Sequence, residues 1–445
     1  QAAGLAVGDR LRYSAPGRSL EGRLMPRPEN GDRGCLVLKL DSGYNIGLGM
    51  AGAKIEKVSS APPADAPARP ASDKDEKESG YSAHQRAPIL FLSTGGTIAS
   101  RVDYRTGAVH PQTDAASMVA AFPRLASLSP IRNRSLFSIL SEDITPGHWT
   151  QMANAAVDAF KDGAEGVVIS HGTDTMGYSA AALSFALDGL PGPVIFVGAQ
   201  RSPDRPSTDA AQNLYCSAAA ARSPLAAVAV CMHASTSDGL NRLHWGTRVR
   251  KSHTTGRWTF RSMGVPPLGR VMADSGQVFI DDPAAPRRDK SRTPSARAGF
   301  SSNVHLAWVY PGLTPKTVEK WADYDGVVLA STGLHGVPVD ANRPDSKTSV
   351  LPALRELSES GVLLALAPQA MGGRVNMEIY STGRLLQEVG VLGHLCDWLP
   401  ETAYAKMCWA LGQTSDKKKA AELLLQPRAR DITERSLIDE SETSP

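Results

Sequence analysis

Several hallmarks of large protein classes are missing from this 445-residue sequence. No uninterrupted apolar run approaches the roughly 20 residues of a membrane-crossing helix, so no helical span is expected. The five cysteines (Cys35, Cys216, Cys231, Cys396 and Cys408) are odd in number and never spaced as CxxC. That argues against a disulfide framework and reads them as small buried residues in a reducing compartment. A formal net charge of +3 leaves no excess of one sign to draw in nucleic acid or a membrane surface. His171, His233, His244 and His253 show no HxH or HExxH spacing, so no metal site is expected. The dinucleotide pattern GxGxxG is absent, and the nearest Walker-type string, Gly172 to Ser179, has Tyr178 where a phosphate-binding lysine belongs. The Gly-x-Ser-x-Gly elbow of α/β-hydrolases is missing too. Asp9, Arg10 and Arg12 lie where a secretory leader has its apolar core, which leaves the cytoplasm as the expected location.

What is present is a pair of threonine-bearing loops. Ser93-Thr94-Gly95-Gly96-Thr97-Ile98-Ala99 follows the apolar run Ile89-Leu90-Phe91-Leu92, and Ser170-His171-Gly172-Thr173-Asp174-Thr175 follows Val167-Val168-Ile169. Both runs read as buried strands. Open α/β sheets place their chemistry at strand ends that lead into small residues, hydroxyls and a carboxylate. Two such loops suggest one site built from both.

The rest of the chain frames them. Residues 1–60 carry short alternating runs punctuated by Gly8-Asp9, Glu29-Asn30-Gly31-Asp32 and Asp41-Ser42-Gly43, the pattern of a small all-β, barrel-like module. Residues 61–87, with Ala/Pro repeats and then Asp73-Lys74-Asp75-Glu76-Lys77-Glu78, cannot bury apolar surface and read as a linker. From 88 to 285, strands expected at 89–93, 136–140, 166–170, 193–198, 225–232 and 269–272 alternate with helices at Ser117 to Phe122, Trp149 to Lys161 and Tyr178 to Leu187. This is the signature of a mostly parallel sheet covered on both faces. A break at 286–300 precedes a second α/β domain at 301–415, with strands at Val304 to Tyr310, Gly326 to Ala330 and Val362 to Ala367. Its helices are expected at 315–322, 350–359 and 400–411, and residues 416–445 read as a short helix and a frayed tail.

Hydroxyl nucleophiles fit the loops better than phosphate binding. A threonine attacks a carbonyl only when something removes its proton. Thr173 and Asp174 share the second loop, and Lys251 lies in the polar stretch Arg248-Val249-Arg250-Lys251-Ser252-His253. A lysine near a carboxylate and hydroxyls can accept or relay a proton. The plainer alternative stays open: threonine and aspartate after strands commonly serve as helix N-caps, and Lys251 is then simply solvated. The basic run from Arg242 to Arg261 reads as a charged mobile loop in preference to an RNA contact.

These residues resemble a known family. Thr94 to Ala99 and His171 to Thr175 look like the two signature loops of bacterial-type L-asparaginases and related amidohydrolases. The likeness runs from about 86 to 412 and includes Gly198-Ala199-Gln200-Arg201 and Gln369 to Asn376. Within it, the β-rich N-terminal module with its linker, the segment Ser141-Glu142-Asp143-Ile144-Thr145-Pro146, and Lys251 followed by Phe260-Arg261-Ser262 are most similar to the D subunits of archaeal glutamyl-tRNA(Gln) amidotransferases.

That resemblance implies an asparaginase-like two-domain α/β fold, and a glutaminase that makes ammonia for conversion of Glu-tRNA(Gln) to Gln-tRNA(Gln). It implies Thr94 as nucleophile and Thr173, Asp174 and Lys251 as the activating set. Ser141, Glu142 and Gly95 would bind substrate together with Asp174, and Tyr104 is the nearby candidate for the family's mobile-loop tyrosine. It further implies no cofactor or metal in this chain, an E-type partner subunit that uses ATP and Mg and binds tRNA, and a homodimer core in an α2β2 complex. A free-standing asparaginase is the alternative.

Overall fold

The computed structural model describes residues 5–25, 32, 34–40, 45–60, 87–95, 100–102, 109–111, 123–202, 208–340 and 342–436. Gly96 to Ala99, Tyr104, the helix expected at Ser117 to Phe122 and the linker up to residue 86 lie outside them.

The N-terminal module is an antiparallel sheet of β1 (Arg10–Ala15), β2 (Arg18–Met25), β3 (Cys35–Lys39), β4 (Asn45–Gly49) and β5 (Lys54–Ser59), in the order β4-β3-β2-β1-β5. Alternation along the strands turns Leu11, Tyr13, Leu36, Leu38 and Leu48 to one side, where they form their own core.

The central layer contains β6 (Ile89–Gly95), β9 (Ile131–Ile139), β10 (Gly166–Ser170), β12 (Val194–Val197), β13 (Val228–His233), β14 (Leu240–Trp245), β17 (Gly269–Met272) and β18 (Val278–Ile280). These make an 8-stranded sheet in the order β18-β17-β14-β13-β12-β10-β6-β9. The half from β9 to β13 is parallel, and β14, β17 and β18 add antiparallel pairings at the far edge. Short pairs lie beside it: β7 (Ser100–Val102) with β8 (Val109–Pro111), β11 (Leu187–Asp188) with β19 (Ser295–Ala296), and β15 (Val249–Lys251) with β16 (Phe260–Ser262).

The parallel strands are apolar on both sides because helices cover both faces. Leu92, Val167 and Ile169 enter the core formed with α1 (Pro146–Lys161) and α2 (Met176–Ala186). Ile89, Phe91 and Val168 enter the opposite core, formed with α3 (Ala210–Ala221). The alanine-rich α3 was not expected from sequence. Its signal is there, since alanine is the strongest helix former and Asp209 precedes the run. Strand β9 begins at Ile131, well before the expected 136, because Arg132-Asn133-Arg134 lie exposed on an edge strand that needs no apolar face.

The second α/β unit has β20 (Val304–Trp308), β21 (Gly326–Ser331) and β22 (Leu363–Pro368) in a parallel sheet. Around it pack α4 (Pro315–Glu319), α5 (Leu351–Glu359), α6 (Ser381–Glu388) and α7 (Pro400–Gln413). Helix α2 packs against α7, and Val304, Val328, Ala365 and Trp409 share one core with α1 and α2.

Two sequence expectations fail here. The run Arg242 to Arg261 is no mobile loop: it contains β14, β15 and β16, and Arg248 is fully buried. The chain after α8 (Lys417–Leu425) is not frayed through residue 436, because Asp431 is buried against the equally buried Lys406. Lysine-rich and acidic stretches look solvated when their partners sit far away in sequence.

Candidate active site

The parallel pairing of β6 with β10 sets Ser93 opposite Ser170, so both threonine loops leave the sheet at the same edge and side by side. The Thr94 hydroxyl crosses between them and donates to the Ser170 carbonyl at 2.8 Å. Thr94 itself is 1% exposed. Next to it Gly95 has φ +104, and a Cβ there would stand 2.5 Å from the Ile139 carbonyl oxygen. Only glycine supplies that left-handed turn with β9 so close.

Past β10 the chain forms a tight, polar turn. His171 is fully buried; its Nδ1 lies 2.6 Å from the Gly172 carbonyl and its Nε2 2.8 Å from Ser179 Oγ, while Trp149 Nε1 donates to the same hydroxyl at 3.0 Å. A carbonyl can only accept, so Nδ1 carries the proton and Nε2 accepts from Ser179. Burial pushes the His171 pKa down to about 4, which keeps the ring neutral near pH 7. His171 is therefore a brace inside the loop.

Gly172 is where the Ser141 segment presses in: a Cβ on it would lie 2.7 Å from Ser141 Cβ. Ser141–Asp143 form one 3-10 turn, held by a Thr175 hydroxyl that donates to the Ser141 carbonyl at 2.6 Å. Directly behind it, Thr145 caps α1. His148 Nδ1 accepts from the Thr145 amide at 3.0 Å in a reciprocal capping box, and Pro146 takes the first helical position. Ser141 is buried and its hydroxyl approaches Glu142 Oε2 at 3.4 Å. Ser141, with Glu142 next to it in the same turn, thus borders the second loop; they are two of the four residues expected to bind substrate.

Helix capping does not account for the side chains of the second loop. Thr175 occupies the N-cap position of α2, but its side chain makes no cap bond. Thr173 and Asp174 are engaged elsewhere: Lys251 Nζ donates to Thr173 Oγ1 at 2.9 Å and to Asp174 Oδ1 at 2.8 Å. The lysine side chain is 14% exposed and the aspartate 67%. Strand β15 delivers Lys251 from 77 residues downstream of Asp174, across the pairing with β16. The structure therefore brings Thr94, Gly95, Ser141, Glu142, Thr173 and Asp174 to one sheet edge and joins Lys251 to the last two. Sequence reasoning missed the supports of this group. Ser179 and Thr175 lie too close to the motif to stand out from the helix that follows. The Gly95–Ile139 and Gly172–Ser141 approaches depend on neighbours remote in sequence.

Comparisons with known proteins follow the same outline. Residues 88–285 match the model "Asparaginase, N-terminal", residues 303–424 match "Glutaminase/Asparaginase C-terminal domain", and residues 5–58 match "GatD N-terminal domain". The D subunit of the glutamyl-tRNA(Gln) amidotransferase of Methanothermobacter thermautotrophicus is 42% identical over 443 residues, covering 98% of this chain and 96% of that protein. This chain belongs to the family of amidotransferase D subunits. The D subunit of Pyrococcus furiosus is 40% identical over 442 residues, covering 97% of this chain and 95% of its own. Among solved structures, the thermostable L-asparaginase from Thermococcus kodakarensis aligns with a TM-score of 0.68 at 28% identity, covering 78% of this chain and 100% of that one. L-asparaginase I from Vibrio cholerae aligns at 0.66 and 25% identity, covering 78% and 99%. Those L-asparaginase chains are matched almost whole and leave part of this chain over, whereas the amidotransferase relatives cover nearly all of it.

Proposed function

We propose that this chain is the glutaminase subunit of a tRNA-dependent amidotransferase, hydrolysing glutamine to supply ammonia for converting Glu-tRNA(Gln) to Gln-tRNA(Gln). The observation that carries the chemistry is the pairing of a strand-end Thr94 with an adjacent loop whose threonine and aspartate are both bonded by Lys251. The N-terminal all-β module, matched in family and spanned by the amidotransferase relatives, favours the amidotransferase over a free-standing L-asparaginase.

In this reading Thr94 Oγ attacks the side-chain amide carbon of glutamine. Its proton passes through the Thr173 hydroxyl to Lys251 Nζ, which serves as the base. Backbone amides beside Gly95 and Thr173 take up the developing oxyanion, a kind of donor typically worth about 3 kcal/mol each. The carbon–nitrogen bond then breaks, the nitrogen regains a proton from Lys251, and ammonia leaves. Water attacks the resulting ester, releases glutamate and restores Thr94. The outward carboxylate of Asp174, anchored on one side by Lys251, holds the substrate ammonium, and Ser141 and Glu142 flank the amino-acid end.

The partner is a tRNA-binding E-type subunit that uses ATP with Mg, and the assembly is an α2β2 complex on a homodimer core in the cytoplasm. This chain needs neither cofactor nor metal for the glutaminase step. Glutamine hydrolysis by the full chain, alone and with the partner subunit and charged Glu-tRNA(Gln), tests the reading. Turnover should rise when partner and tRNA are present. Strong unassisted asparagine turnover that ignores both would favour the free-standing enzyme.

A further inference from the structure

Lys251 is tied on its upstream side to a part of the chain that no motif marks. The residues just before β15 are clamped from two directions. Thr247 Oγ1 donates to the Ala429 carbonyl at 2.6 Å, and Thr402 Oγ1, near the start of α7, donates to the Thr247 carbonyl at 2.7 Å. Arg248 Nε donates to the Arg430 carbonyl at 2.5 Å, while its two terminal nitrogens reach the carbonyl oxygen and a carboxylate oxygen of Asp397 at 2.6 and 3.0 Å. Arg250 pairs with Glu401 at 2.9 Å. Thr247 and Arg248 are fully buried and Asp397 nearly so.

The segment they grip, Arg428–Thr433, is itself locked. Asp431 Oδ1 accepts the amides of Arg428 and Ala429 at 2.9 and 3.2 Å, which closes a turn, and its other oxygen pairs with buried Lys406. Arg430 sits in the left-handed region at φ +62. Thr433 donates its amide and its hydroxyl to the two oxygens of Asp397, at 2.9 and 2.5 Å. Asp397 is thus shared between the strap and Arg248. A buried carboxylate bonded on both oxygens fixes the geometry of everything attached to it.

We propose that this C-terminal strap, Arg428–Thr433, acts with Thr247, Arg248 and Asp397 to position Lys251 for proton transfer with Thr173. The proposal rests on the reading of Lys251 as the proton-handling group. A lysine side chain is long and flexible, so its placement depends on how firmly its backbone is held. The hairpin pairing β15–β16 is only three residues long. It is extended by the Met263 amide, donating to the Arg248 carbonyl at 2.8 Å, and the Ser252 amide, donating to the Thr259 carbonyl at 2.7 Å. The strap adds restraint on the upstream side of Lys251. These are positioning residues: none is bonded to Thr94, Thr173 or Asp174 among the described residues.

Glutamine hydrolysis by the full chain with its partner subunit tests this with Thr247→Val, Thr247→Ser, Arg248→Lys and Lys251→Ala. Thr247→Val removes the hydroxyl bond to Ala429 at constant shape. It should lower kcat about tenfold with KM within about twofold, since misplacement on the ångström scale costs one to two decades. Thr247→Ser keeps the bond and should restore kcat, with the same thermal midpoint as Thr247→Val. Arg248→Lys keeps the charge beside Asp397 but loses the fork, and should slow kcat in the same direction; it carries the test should Thr247→Val fail to fold. Adding Thr247→Val to Lys251→Ala should leave residual turnover unchanged. Wild-type kcat in Thr247→Val, equal slowing by Thr247→Val and Thr247→Ser, or the same fold-loss on the Lys251→Ala background overturns the strap alone. Lys251→Ala turning over like the wild type removes the site reading beneath it.

Discussion

Two threonines stand at the ends of neighbouring strands, yet their surroundings differ at every level. Thr94 is 1% exposed, and its hydroxyl donates to the Ser170 carbonyl. Thr173 is 7% exposed and its hydroxyl is met by the lysine that also holds Asp174. On the proposed reading Thr94 is the nucleophile and Thr173 the relay to Lys251, so one residue type takes two roles set by what adjoins each strand end. The supports differ as well. The first loop is shaped by one glycine pressed against β9, and the second by a largely buried web of His171, Ser179, Trp149 and Ser141 with half-buried Thr175.

The sharpest way to break the comparison is to exchange the losses. Thr94→Ala should lower glutamine turnover on the order of 10⁴-fold, and Thr173→Ala on the order of 10²- to 10³-fold, measured as kcat at saturating glutamine. Thr173→Ala combined with Lys251→Met should cost little more than either change alone, because the two act as a unit. Equal losses at Thr94 and Thr173, or additive losses at Thr173 and Lys251, would erase the distinction. Next in size is Gly95→Ala. With φ +104 and a backbone oxygen 2.5 Å from the new Cβ, it should destabilise the fold by about 2–4 kcal/mol in urea unfolding and lower activity. Because that carbonyl belongs to β9, the damage should spread to the Ser141 turn and raise KM in any folded fraction.

A smaller effect separates the second loop by pH. His171 is held down to about 4 and His244 to about 3 by burial, each below the ordinary histidine value near 6.5. Between those values the unfolded chain binds more protons than the folded one. Stability is therefore full above about pH 6.5 and falls as the pH drops toward the folded pKa values. Each histidine should contribute a loss on the order of 2 kcal/mol between pH 7 and pH 5, read as a falling urea midpoint. A flat midpoint across that range would contradict the neutral, buried brace.

The sequence revealed some levels of this site and hid others, for physical reasons. Ile89 to Leu92 and Val167 to Ile169 are apolar on both faces, so their strands were plain, and the parallel arrangement followed from alternation with helices. The motifs marked Thr94, Thr173 and Asp174 because small residues and hydroxyls at strand ends have few structural uses in combination. Lys251 could be named from the sequence as a possible proton acceptor, but only the family resemblance separated it from the solvated lysines of a basic run. Arg248 looked like one of those cations and is fully buried, because its acceptors, Asp397 and Arg430, lie 149 and 182 residues away. The segment around Asp431 was hidden for the same reason, its partner Lys406 being an unremarkable lysine within α7.

The measurement that bears most directly on the account is the location of the acyl group during turnover. Rapid acid quench of the full chain reacting with glutamine, followed by proteolysis and mass spectrometry, should find the γ-glutamyl ester on the peptide that carries Thr94. The adduct should be absent from Thr94→Ala and should accumulate when water attack is slowed. An ester on the peptide that carries Thr173, or steady glutamine turnover with no ester on either, would contradict the assignment of nucleophile and relay to the two strand ends.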